Sequence, residues 1–271
     1  MRPLGGCASD VPVGAALAPE TLHPSLWRAH QLGRPGAAVV ASGFGALDAQ
    51  LPGGGWPLGS LTELLLPHPG IGELRLLAPV LAALQQQQRC VMCFDPPALP
   101  CAWALGALGI DLQRLVVVQA RAVRHGGLKG RARSLLPAAD VLWALEQALK
   151  SGHVGAVLAW LPARLPADAL RRLQLAAQSH AGPAFLLRDA QMHQQPSAAP
   201  LRLALACAGP DLLRVVLLKR RGPPLAQPLV LALPAVLSAT ALARALQPAG
   251  PADLRGAGAA VPTAARRAGV R

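Results

Sequence analysis

The residues whose types and spacing bear most on chemistry lie between positions 61 and 84, LTELLLPHPGIGELRLLAPVLAAL. An apolar run at 61–66 predicts a buried strand, and Pro67, Gly70 and Gly72 predict a turn. A helix should follow from about Glu73, because Leu74, Leu77, Leu81 and Leu84 recur on one face. Strand, glycine turn and helix make up the local architecture in which backbone N–H groups and a helix N-terminus hold a phosphate. In such loops a lysine after the last glycine neutralises the phosphates, and the next hydroxyl ligates Mg²⁺. Here those two positions hold Glu73 and Leu74. A carboxylate repels a polyphosphate, and a leucine side chain has no metal-binding atom. The first glycine of the motif is replaced by Leu66 or Pro67, depending on where a one-residue gap is placed.

The surrounding elements alternate as strand and helix. A second strand is predicted at 90–94, stopped by Asp95-Pro96-Pro97, then a helix over 98–108 containing Trp103 and a strand at 115–118. An amphipathic helix over 138–151 leads to a buried strand at 153–160, a helix at 166–181 and a strand at 184–187 that ends in Arg188. A polar loop at 189–200 precedes a hairpin of strands 201–207 and 212–218, and a strand at 230–233 closes the sheet, followed by a helix at 238–246. The fold class expected is α/β: a mostly parallel twisted sheet flanked by helices, with antiparallel strands at its C-terminal end.

The text before the loop carries a resemblance. Ser42-Gly43-Phe44-Gly45-Ala46-Leu47-Asp48, then Gly53-Gly54-Gly55, then Gly59-Ser60-Leu61-Thr62-Glu63 resembles the approach to the nucleotide loop in RecA-type ATPases. The resemblance implies a RecA-like core. It also sets two further comparisons: Pro97 stands where a catalytic glutamate is expected, and Trp160 where the Walker B aspartate is expected. With Glu73 and Leu74, these substitutions imply a pseudo-ATPase with no catalytic residue, no bound nucleotide and no metal. Lys219 and Arg221, either side of Arg220, match a strand–KxK–Pro segment whose lysines in RecA filaments reach the neighbouring subunit's nucleotide.

Several segments together look like the ImuA family: HPSLWRA, SGFGALDAQLPGGGWPLGSLTELLLPHPGIGELRLL, ADVLWALEQALKSGHVGAVLAWLP, LRRLQLAAQS, AFLLR and LLKRRG. This resemblance spans roughly residues 23–233. It implies a non-catalytic accessory protein of SOS-induced, error-prone translesion DNA synthesis. Its partners would be an ImuB-like, polymerase-related protein and an error-prone polymerase, with the RecA filament as a further contact. A SulA-like cell division inhibitor acting on FtsZ is an alternative within the same superfamily, and an active RecA-like ATPase is another.

The chain has 271 residues, 52% of them hydrophobic, enough for one ordinary domain and its core. Residues 1–22 and 247–271 read as disordered tails, the latter basic, around a domain at 23–246. Lys and Arg number 26 against 13 acidic residues, a net charge of +13, which favours nucleic acid or acidic protein surfaces. The densest basic stretch, 114–133, holds Arg114, Arg121, Arg124, Lys129, Arg131 and Arg133 and runs into a Gly-rich insertion at about 123–137. With no aromatic among them, it reads either as a phosphate-backbone contact loop without base stacking or as a solvated insertion. Trp27, Arg188, Lys219, Arg220 and Arg221 complete the expected partner or DNA contacts. Cys90 and Cys93 form only half a metal site, and alternation along a strand would point them to opposite faces. Reduced core thiols, no secretory leader, no membrane helix and a cytoplasmic location are expected.

Overall fold

A computed structural model describes residues 38–119, 138–166, 168–222 and 227–236. The glycine-rich approach forms a small ribbon, β1 (Val39–Val40) antiparallel to β2 (Trp56–Pro57), with the single-turn helix α1 (Gly45–Asp48) between them. Trp56 anchors it: the indole is fully buried and meets Phe185 edge-to-face, centroids 5.2 Å apart at 86°.

The main sheet follows. Strands β3 (Leu61–Leu66), β4 (Cys90–Phe94), β5 (Leu115–Val118), β6 (Val154–Trp160) and β7 (Ala184–Asp189) run parallel. β8 (Leu201–Gly209) is parallel to β3, and β9 (Leu212–Lys219) and β10 (Leu229–Ala232) extend it in antiparallel fashion. The order across the sheet is β10-β9-β8-β3-β7-β6-β4-β5. β3 and β6 are buried at every position, which explains why neither shows a regular apolar–polar alternation; Thr62 and Glu63 are buried with the leucines of β3.

Helices α2 (Glu73–Gln86), α3 (Ala102–Ala107), α4 (Ala138–Lys150) and α5 (Ala169–Ala177) provide the connections. Leu76, Leu77 and Leu81 of α2 pack with Leu64, Leu158 and Leu203 on one face of the sheet. On the opposite face Leu145 and Leu149 of α4 and Leu173 of α5 pack with Leu61, Val157 and Leu186. Each such leucine contributes on the order of 1.5–3 kcal/mol of burial energy. The architecture is therefore the expected mixed α/β one, a mostly parallel sheet flanked by helices with antiparallel strands at its C-terminal end.

Two helices are shorter than predicted. The helix expected over 98–108 runs only over Ala102–Ala107, because Pro100 disfavours helical backbone in the residue before it. That expected over 166–181 covers Ala169–Ala177, and the Ser179 hydroxyl donates to the Ala176 carbonyl (2.9 Å) just past its end. The helix expected at 238–246, both tails, Trp27 and the basic insertion lie outside the described residues. Among the described residues no helix is long and apolar enough to cross a membrane.

Candidate functional site

The loop at 67–72 leaves β3 at the carboxyl ends of the parallel strands, the edge where ligands enter open α/β sheets. Gly72 caps α2 with φ 115°, a conformation that favours glycine, and a Cβ there would lie 2.6 Å from Leu233 Cδ1. Two amides of this turn are already taken. The Gly70 N–H donates to Glu73 Oε1 (2.8 Å) and the Gly72 N–H to Glu73 Oε2 (3.2 Å). Glu73 is buried, and its carboxylate takes the donors that would otherwise cradle an anion. Leu74 packs partly buried against the core. Arg75 ties the first turn of α2 to the hairpin end: Nη2 meets Asp211 Oδ1 at 2.5 Å and Nε donates to the Pro234 carbonyl at 2.8 Å.

Beside the loop is a cavity of about 310 Å³, lined chiefly by Leu66–Pro69, Trp160, Leu161, Ala163 and Leu187–Asp189. Trp160 closes the end of β6 beside Leu187. It stands at the position where the RecA resemblance implies a metal-orienting carboxylate, and its Nε1–H has no partner. Pro97 is exposed beyond β4. Among the described residues no group of three His, Cys, Asp or Glu is placed to hold a metal ion.

Under the cavity is a charge cluster that was not anticipated. Glu63, wholly buried in β3, faces two guanidinium groups: Arg188 Nη1 at 2.8 Å and Arg202 Nε at 2.5 Å. Arg188 Nη2 also donates to the Ala163 carbonyl (3.0 Å), and Arg202 to the carbonyls of Met192 (2.8 Å), Gln195 (3.1 Å) and His193 (3.4 Å). The register explains the meeting: Glu63 lies beside Arg202 on β8, and Arg188 lies beside Leu65, two residues along the same face of β3. The signal was present as lone charges in LTELLL and LRLALA, each of which requires a buried partner.

The candidate contact residues fall into separate groups. Arg188 is buried in this cluster rather than presented at the surface. Lys219 Nζ donates to the Ser197 carbonyl (2.9 Å), and its pKa is lowered by burial and then by the nearby Arg202 charge, against the opposing pull of Glu63. Arg220 donates to the Gln50 carbonyl, while Arg221 is exposed. Arg121, Arg124, Lys129, Arg131, Arg133 and Trp27 lie outside the described residues. Of the thiols, Cys93 is buried, and burial pushes its pKa up to about 12; Cys90 is half-buried, whereas Cys101 and Cys207 are exposed and so do not belong to the core. Two exposed indoles drew no surface expectation from the sequence: Trp103, 90% exposed, and Trp143.

No family model matches the chain. It is similar to a cell division inhibitor SulA. That protein, from Edwardsiella piscicida, is 32% identical over 126 residues. The match covers 46% of this chain and 64% of the relative, so the chain spans less than two thirds of the protein it matches. The similarity is distant, and it is consistent with a SulA-like relationship.

Proposed function

We propose that this protein is a non-catalytic RecA-like accessory factor that acts by binding proteins in the response to DNA damage. The observation that carries the proposal is the Glu73 carboxylate, seated on the Gly70 and Gly72 amides where a phosphate would have to bind. A bound polyphosphate would have to displace that carboxylate and would still meet its charge, with Leu74 and Trp160 offering no metal ligand in exchange. The loop is then a structural turn, and the molecule works through its surfaces.

Within that role, the ImuA-like segments favour an adaptor in translesion synthesis that joins an ImuB-like protein and an error-prone polymerase, with the RecA filament and DNA as additional contacts. A cytoplasmic location follows from those partners. The exposed Arg221, next to Lys219 and Arg220, belongs to the contact surface in this reading. A second reading is inhibition of cell division through FtsZ, favoured by the similarity to SulA. Purified full chain immobilised against an ImuB-like protein and against FtsZ separates the two. Retention of the first alone supports the adaptor, and retention of FtsZ with filamentation on overexpression supports the inhibitor. Retention of neither contradicts the shared proposal.

A further inference from the structure

We infer that the outer face of the β8–β9–β10 extension is a docking surface for a protein partner that presents an apolar helix carrying an acidic residue. The inference rests on the reading above only in that the protein acts by binding proteins. Alternate residues of these strands, Leu203, Leu205, Leu213, Val215 and Leu231, belong to the core beneath α2. Their neighbours must point to the other side. The core on that side, where α4 and α5 pack, takes no residue from β8, β9 or β10. An antiparallel sheet with one wet face should place polar residues there. Instead that face carries Leu212 (38% exposed) and Val230 (57%), with Val216 and Ala204 paired beyond them, while Leu218 (40%) is exposed at the bulge where β9 leaves β8. Contiguous exposed apolar surface of this kind marks interaction sites.

Arg214 stands within the patch and selects the occupant. Arg214 is exposed and is opposed by Ala206 on one side and Val230 on the other. No acidic side chain among the described residues pairs with it. A second copy docked by two-fold symmetry would bring one Arg214 toward another. The chain's own residues after 236 offer Asp253 against Arg244, Arg255, Arg266, Arg267 and Arg271. A partner carboxylate inside an apolar helix face satisfies both the leucines and the guanidinium, and orients the partner.

The test replaces Val230 in the full chain with photo-reactive p-benzoylphenylalanine, irradiates cells after DNA damage, and maps the cross-linked residues by mass spectrometry. The expected adduct lies on an apolar helix of another protein that has an Asp or Glu within one turn. Binding of that partner should weaken roughly tenfold or more in Arg214→Glu, and recover when the mapped acidic residue is changed to Lys. The inference is overturned by no adduct, by an adduct to a second copy or to the chain's own C-terminal residues, or by a partner whose affinity ignores Arg214→Glu. If an ImuB-like protein or FtsZ binds while Arg214→Glu and Leu218→Asp leave its affinity unchanged, this surface fails and the functional reading stands. If the mapped partner is none of an ImuB-like protein, an error-prone polymerase, RecA or FtsZ, the surface stands and that functional reading fails. Thermal melting of each variant confirms that these exposed substitutions leave the fold intact.

Discussion

Replacing Glu63 with Ala should cause the largest loss of stability of any single charge removal in the described residues. The side chain has no exposed surface, and the guanidinium groups it faces are 3% and 8% exposed. Removing one partner from a buried ion pair costs about 3–5 kcal/mol, because the remaining charge stays desolvated. Here two charges are left, eased by the carbonyls of Ala163, Met192 and Gln195, so a loss of about 4 kcal/mol or more is expected. That is a large share of the 5–15 kcal/mol typical of a domain, and should lower the melting temperature by roughly 10 °C. Urea unfolding followed by far-ultraviolet circular dichroism measures it, provided the denaturant slope is unchanged. The triple variant Glu63→Leu, Arg188→Met, Arg202→Met should recover most of the loss, because an apolar replacement of the whole cluster needs no compensation. If Glu63→Ala costs less than about 1 kcal/mol, the cluster is hydrated and the reasoning fails.

Other predictions concern the loop and the buried histidine. Glu73→Ala frees the Gly70 and Gly72 amides, so binding of inorganic phosphate at millimolar concentration should appear by titration calorimetry in the variant and not in the parent. Gly72→Ala forces a Cβ into left-handed backbone and against Leu233, and should cost about 1–2 kcal/mol in urea unfolding. His180 is buried, and burial followed by the Arg89 charge lowers its pKa from 6.5 to about 4. The folded state therefore holds it neutral while the unfolded chain takes the proton first. Stability is complete above about pH 6.5 and should fall by roughly 3 kcal/mol as the pH drops to about 4. His180→Phe should remove that part of the pH dependence.

Much of the sheet was legible because fully buried parallel strands are rich in apolar residues: LTELLL and VGAVLAW have no solvent face, and only Thr62 and Glu63 interrupt them. The start of α2 was equally plain, since Gly72 is the turn residue that its backbone requires. The ribbon of β1 and β2 escaped because two-residue strands carry no period to read. The charge cluster was hidden for another reason. Glu63 lies 125 residues from Arg188 and 139 from Arg202, and only the strand order, which places β3 between β7 and β8, brings them together. At the loop, the sequence showed that Glu73 replaces a lysine; that the carboxylate folds back onto the turn's own amides depends on geometry alone. The apolar alternation of β8 and β9 was visible as a hairpin, but that neither α4 nor α5 packs on its outer face depends on where those two helices lie.

The central claim is that the nucleotide site is closed and without catalytic function. Titration calorimetry with Mg·ATP, together with phosphate release measured with and without single-stranded DNA, tests it most directly on the purified full chain. The account predicts no heat of binding at millimolar nucleotide and no turnover under either condition. Mg²⁺-dependent hydrolysis, abolished by substitutions in the 67–72 loop, would contradict it and make the protein a motor rather than an adaptor.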